Sequence, residues 1–237
     1  MGGAAARELR GAQVASYCAG VKQSFSFALV MAVASPVPAA ETIWRVDNVE
    51  RIGAHAVTVA GAPHVNDDGG GAALVFDGVK DGVFVPAIPL AGATQFTIEI
   101  CFLPAHDGPA AQRFLHAQDS AGSRALIETR LDGKGGWWLD TFLANAGPGA
   151  GTALIDPAKV HRTGQWYWAA LRYDGRTMAH FVNGRKELER AATFSRLGEG
   201  VTSLGVRQNR IHWFKGAIRE VRFHDEALAD AKLQRPQ

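Results

Sequence analysis

The sequence predicts an all-β fold, an antiparallel β-sandwich, from three observations. After residue 40, apolar and polar residues alternate with a period of two in short runs, the pattern of half-buried strands. These runs are separated by Asp77-Gly78, Asp81-Gly82, Asp132-Gly133, Asp174-Gly175 and Asn183-Gly184, dipeptides that supply the positive φ a tight turn needs. No helical pattern longer than about two turns occurs before the C-terminal end. The 27 glycines against 3 methionines likewise fit many short strands rather than long helices.

Taken in order, the chain opens on a segment of another kind. Lys22 precedes the apolar run Phe25–Ala34, which is too short to span a bilayer and is closed by Pro36 and Pro38. The small residues Ala39 and Ala40 follow, so residues 1–40 read as an export signal cut after one of them. Residues 1–20 are long and weakly patterned for a signal, and read as an over-extended gene start. The single domain then spans 41–237 and is expected to be secreted, periplasmic or extracellular, with no membrane span.

Within it, Phe96–Phe102 reads as a strand carrying Cys101, a small buried hydrophobe. Cys18 would be lost with the leader, so no internal disulfide can form. Gln112–Asp119 is a second strand with unusual polar content. Simple alternation puts Gln112, Phe114, His116 and Gln118 on one face and Arg113, Leu115 and Ala117 on the other. Leu126–Leu143 reads as a hairpin turning at 132–136, and Trp166–Tyr173, Thr177–Val182 and the segment from Arg185 as a meander. Only Asp225–Leu233 favours a helix, from an acidic cap.

Several of these segments resemble laminin-G-like domains of the concanavalin-A-like lectin/glucanase superfamily. Leu74–Pro86 is similar to that family's opening strand pair and Phe96–Ile100 to the strand that follows. Trp166–Gly184, with Tyr173-Asp174-Gly175 and Val182-Asn183-Gly184, resembles its central meander. Phe214–Phe223, then Ala227 and Leu228, resembles its closing strand. The resemblance covers residues 74–228 and implies a jelly-roll sandwich of two curved sheets, commonly with sugar binding or cleavage on the concave one. Fold alone does not choose among lectins, glycosidases, lyases and protein-binding modules. The Glu-x-Asp-x-x-Glu strand of the superfamily's retaining glucanases is absent. The arginine, glutamine, histidine and tyrosine used by its alginate-lyase-like members are present as residue types, without matching motifs.

The hairpin Leu126–Leu143 carries the most chemistry. A turn at 132–136 pairs Leu131 with Trp137, Arg130 with Trp138 and Glu128 with Asp140. One face, Ile127, Thr129, Leu131, Trp137, Leu139 and Thr141, is then core; the other displays Glu128, Arg130, Trp138, Asp140 and Phe142. Opposed residues have Cβ atoms ~4.5–5.5 Å apart, so two carboxylates become neighbours, and like charges so placed raise one pKa unless a cation offsets them. Glu128 and Asp140, with His116, are thus the catalytic candidates; a salt-bridged ladder through Arg130 is the plainer alternative. Gln112, Arg130, Trp138, Arg207, Asn209 and Lys215 are the ligand-binding candidates. The donor-rich run Val206–Lys215 suits carboxylate- or sulfate-bearing ligands, and Trp138 suits stacking on a sugar ring.

Residues 1–40 hold Arg7, Arg10 and Lys22 against Glu8, so the remaining 22 basic and 22 acidic residues balance. Nucleic-acid binding through bulk charge is thereby disfavoured. The eight histidines lack zinc spacing; calcium is the candidate ion, with Asp67, Asp68 or Asp77 as loop donors, although turn formation accounts for the same residues. Three functions remain: a glycan-binding domain for acidic polysaccharides, a polysaccharide-degrading hydrolase or lyase, and a protein adhesion module. Nothing in the sequence sets the oligomeric state.

Overall fold

The computed structural model describes residues 40–149 and 151–236, so the export signal and its cleavage site lie outside the described residues. In chain order the strands are β1 (Glu41–Arg45), β2 (Arg51–Ile52), β3 (His55–Ala56), β4 (Thr58–Ala60), β5 (His64–Asp67), β6 (Ala72–Asp77), β7 (Gly82–Val85), β8 (Phe96–Pro104) and β9 (Ala111–Asp119). They continue with β10 (Arg124–Leu131), β11 (Gly136–Ala144), β12 (Thr152–Ile155), β13 (His161–Arg162), β14 (Tyr167–Tyr173), β15 (Thr177–Val182), β16 (Arg185–Ala191), β17 (Gly200–Leu204) and β18 (Lys215–His224).

Two eight-stranded antiparallel sheets form a jelly-roll sandwich. The first runs β16-β15-β14-β8-β18-β6-β5, with β1 also on β18; the second runs β12-β11-β10-β9-β17-β7-β4, with β13 also on β11. Alternation buries one face of each sheet against the other. Phe102 of the first sheet stacks on Phe114 of the second with centroids 4.3 Å apart, and meets Trp137 edge-on at 5.2 Å. Offset and edge-to-face contacts of this kind add to simple area burial. Cys101 is buried with a free thiol, as its place in an apolar strand implies.

Turn chemistry fixes the register. Asn183 (φ 52°) and Gly184 (φ 70°) both sit in the left-handed region between β15 and β16, the pair of conformations a type I′ hairpin turn requires. Asp119 works differently: one carboxylate oxygen accepts the N–H groups of Ala121, Gly122 and Ser123, and the other accepts that of Gly198. The β9–β10 turn is thereby tied to the loop before β17. Burial opposes ionisation of Asp119, but these N–H groups outweigh it and hold the carboxyl below its usual range. Asp119→Ala should cost about 1–3 kcal/mol through orphaned donors. Because the folded carboxyl is the stronger acid, this stability is present above the ordinary carboxylate range and lost as pH falls through the folded value. Thermal melts of both proteins should therefore converge in acid.

The helix expected at Asp225–Leu233 is a single 3-10 turn, Asp230–Lys232. A lone short helix is marginal, and the extended path instead lets Leu228 and Leu233 both bury against Ala170, Ala179 and Phe181 of the first sheet. Thr97 Oγ1 accepts the Leu228 N–H, and Arg172 donates to the Leu228 carbonyl, fixing that path.

Candidate functional site

The hairpin β10–β11 has the register expected from its turn: Leu131 faces Trp137, Arg130 faces Trp138 and Glu128 faces Asp140. Ile127, Thr129, Leu131, Trp137, Leu139 and Thr141 are all buried toward the core. Glu128 and Asp140 lie on the opposite, outer face, but are only 3% and 5% exposed because arginines cover them.

Strand β9 departs from simple alternation. Its pairing with β10 shifts between Ile127, opposite Leu115, and Glu128, opposite Arg113. Phe114 is thus the extra residue of a β-bulge, and such an insertion switches the faces of the residues beyond it. Gln112 goes inward: it is fully buried, and its Oε1 accepts the Lys215 N–H at 2.7 Å. Arg113, which simple alternation puts on one face with Leu115 and Ala117, parts from the buried Leu115, reaches the outer face and lies 3.0 Å from Glu128.

An ion-pair chain results. Arg130 donates to Asp140 Oδ2 from Nε (2.9 Å) and Nη2 (2.6 Å), and the same Nη2 lies 3.4 Å from Glu128 Oε2. Burial, then the Asp140 charge, push the Glu128 carboxyl up to about 7 against the pull of Arg113 and Arg130. Above this chain is a cavity of about 220 Å³ lined by Arg113, Arg124, Glu128, Arg130, Asp140, Phe142 and Arg207 among others. Four guanidiniums face two carboxylates there. Arg124 lies over the Phe142 ring at 5.3 Å and makes only a 3.3 Å bond to the Gly122 carbonyl. The ion pairs in this cavity engage Arg113 and Arg130, leaving Arg124 and Arg207 with no carboxylate partner among the described residues.

Arg124 and Arg207 are also shared with a second cavity of about 480 Å³, completed by His116, Gln118, Gln208 and Asn209 and lacking acidic residues. The two cavities therefore form one groove across β9 and β10. His116 is held on its floor: Nδ1 accepts the Gln208 N–H at 3.1 Å, while the Gln208 side chain donates to the His116 and Val201 carbonyls. Burial, then Arg207, Arg124 and Arg113, lower its pKa to about 3. With Nδ1 accepting, the proton belongs on Nε2, which is buried and has no partner; Arg113 Nη1 is a second such donor. Nitrogen NMR should show His116 neutral and Nε2-protonated at pH 7, titrating only near its lowered value; titration in the ordinary imidazole range would contradict this environment.

The groove thus unites Glu128, Asp140, Arg130, His116, Arg207 and Asn209. Trp138 shares the outer face and is half-buried, but lines neither cavity. Lys215 begins β18 in the other sheet and pairs with Asp107. Arg113, Arg124 and Gln208 were missed. Arg124 was within reach, being the next outward step before Leu126, Glu128 and Arg130; the bulge that exposes Arg113 leaves no mark in the pattern.

The three candidate calcium donors are engaged locally. Asp67 accepts from Gly69 and Gly71, Asp77 from Val79, Lys80 and Asp81, and Asp68 binds Trp166 and Arg219. Among the described residues no three or more histidine, cysteine or acidic side chains are grouped to hold a metal.

The family described as the concanavalin A-like lectin/glucanases superfamily matches residues 77–234. No curated protein matches. Among solved structures, the binding domain of Paraclostridial Mosquitocidal Protein 1 superimposes with a TM-score of 0.61 at 10% identity, over 81% of this chain and 50% of that one. The ligand-binding domain of botulinum neurotoxin serotype D, solved with N-acetylneuraminic acid, gives 0.58 at 11% identity, over 81% and 48%. Domain 4 of AbnA, a GH43 extracellular arabinanase from Geobacillus stearothermophilus solved with arabinotriose, gives 0.49 at 19%, over 81% and 85%. The chain spans about half the length of these toxin domains.

Proposed function

This chain belongs to the concanavalin A-like lectin/glucanases superfamily, and from that premise we propose that it is an exported carbohydrate-binding domain for acidic glycans. The observation that carries this reading is the pair Arg124 and Arg207, set at the junction of two cavities without a carboxylate partner among the described residues. A guanidinium presents a planar fork of donors that matches a carboxylate or sulfate, and such charge-assisted bonds are the stronger class. Arg113 Nη1 and His116 Nε2 add buried donors without acceptors, and an unmade buried hydrogen bond is costly. A uronate or sulfated sugar meets those needs with its acidic group on the arginines and its ring along Phe142 and Leu126.

Degradative chemistry would need Glu128 or Asp140 free to move a proton, and the raised Glu128 carboxyl is the observation in its favour. Both oxygens of Glu128 face guanidiniums, however, and Asp140 is gripped by Arg130. Binding without cleavage is the reading these contacts favour. The test is calorimetry with oligogalacturonate, a sulfated oligosaccharide and neutral controls, alongside reducing-end and unsaturated-product assays. Binding of the acidic ligands that weakens with added salt supports the proposal. Turnover would move the protein to the enzyme class, and failure of every acidic glycan to bind would end the reading.

A further inference from the structure

The outer face of the first sheet holds a second groove, remote in the sheet order from the arginine site. We propose that it is an independent subsite for a neutral glycan, built on Trp166 and Trp168. Trp168 stands on β14 and Trp166 two residues before it, so alternation sends both indoles to the same side, and both are half-buried. The strand register places Trp168 beside Cys101, Cys101 beside Glu220 and Glu220 beside Arg45, a continuous floor across β14, β8, β18 and β1. A cavity of about 520 Å³ lies over it, within the ~300–1,000 Å³ range of small-ligand sites. Trp166 also walls a neighbouring cavity of about 270 Å³, so the groove continues past one indole.

The indoles are fixed before any ligand arrives. Trp166 Nε1 donates to Asp68 at 2.7 Å, Asp68 also accepts from Arg219, and that guanidinium lies 3.9 Å from the centre of the Trp166 ring. Arg222 lies 5.4 Å from the centre of the Trp168 ring. Side chains held this way lose little freedom on binding, which favours affinity. One face of each indole is taken by a guanidinium, so a pyranose would pack its C–H face on the other while its hydroxyls reach the polar rim.

Charge compensation selects a neutral sugar. Arg45 and Arg222 both reach Glu220, Arg219 reaches Asp68 and Lys215 reaches Asp107. Arg235, exposed at the rim, is the one lining cation without a carboxylate partner among the described residues. In the arginine groove two central guanidiniums lack such partners among the described residues. The two faces should therefore sort ligands by charge and let one domain hold two kinds of chain.

The test is calorimetry and indole fluorescence with cellohexaose, xylohexaose and mannohexaose, on the whole protein. At least one should bind, quench the indoles, persist in high salt and remain bound when oligogalacturonate is added. Trp168→Ala should weaken that binding at least about tenfold, the loss of an aromatic anchor, while Trp168→Phe should retain most of it and both variants keep the wild-type melting profile. Arg124→Ala should leave it unchanged, so failure of the acidic-glycan reading would not touch this one. The proposal is overturned if none of the three sugars binds, if oligogalacturonate displaces the neutral sugar, or if Trp168→Ala binds as tightly as wild type.

Discussion

Arg130→Met should lower stability by about 3–5 kcal/mol, the usual cost of removing one partner from a buried ionic cluster. Asp140, with a side chain 7% exposed, would lose its one cation partner among the described residues, and Glu128 would keep Arg113. In a chain of this size each kcal/mol moves the melting temperature by about 2–4 °C, so a fall of roughly 6–20 °C is expected. The sign of the pH response is fixed by the same chemistry. Glu128 already has a raised pKa from burial and Asp140, and removing a cation raises it further. A group whose folded pKa is raised contributes least to stability above that value, so the deficit should be greatest above pH about 7 and shrink on acidification. Replacing Arg130 and Asp140 together, as Arg130→Met and Asp140→Asn, should recover much of the loss, because Glu128 then keeps Arg113 as its partner. A deficit insensitive to pH would mean that lost packing, rather than exposed charge, is responsible.

The sandwich was legible because turns and alternation are local properties. Asp132-Gly133 set a turn, and the hairpin register followed from counting outward by two. Where local counting met a non-local event it failed. The Phe114 bulge moved Gln112 into the core and brought Arg113 out, and nothing in Ala111–Asp119 signals it, because Phe114 and Leu115 are equally apolar. The helix expected at Asp225–Leu233 failed for a related reason: the first sheet offers Leu228 and Leu233 a surface that a helix could not cover with both. Lys215 belongs to a donor-rich run, but β18 begins at that residue and carries it to the other sheet. The arginine groove was therefore half visible, in Glu128, Asp140, His116 and Arg207; Arg124, which with Arg207 is shared by both cavities, could have been reached by the same outward counting, whereas Arg113 needed the structure.

Arg124 and Arg207 are proposed to bind the acidic group of a glycan. Charge-assisted bonds are worth roughly 1.5–3 kcal/mol each, so replacing both should weaken binding by about two to four orders of magnitude. Neither side chain makes an ion pair among the described residues, so Arg124→Ala/Arg207→Ala should stay folded, and its melting curve provides the control. Retained melting with lost affinity would place the effect in recognition rather than in folding. The direct measurement is calorimetric titration of oligogalacturonate into wild type and this double variant at low and at high salt. Salt-sensitive binding to wild type is expected, and none detectable to the folded double variant. Equal affinity for the two proteins, or binding indifferent to salt, would contradict it.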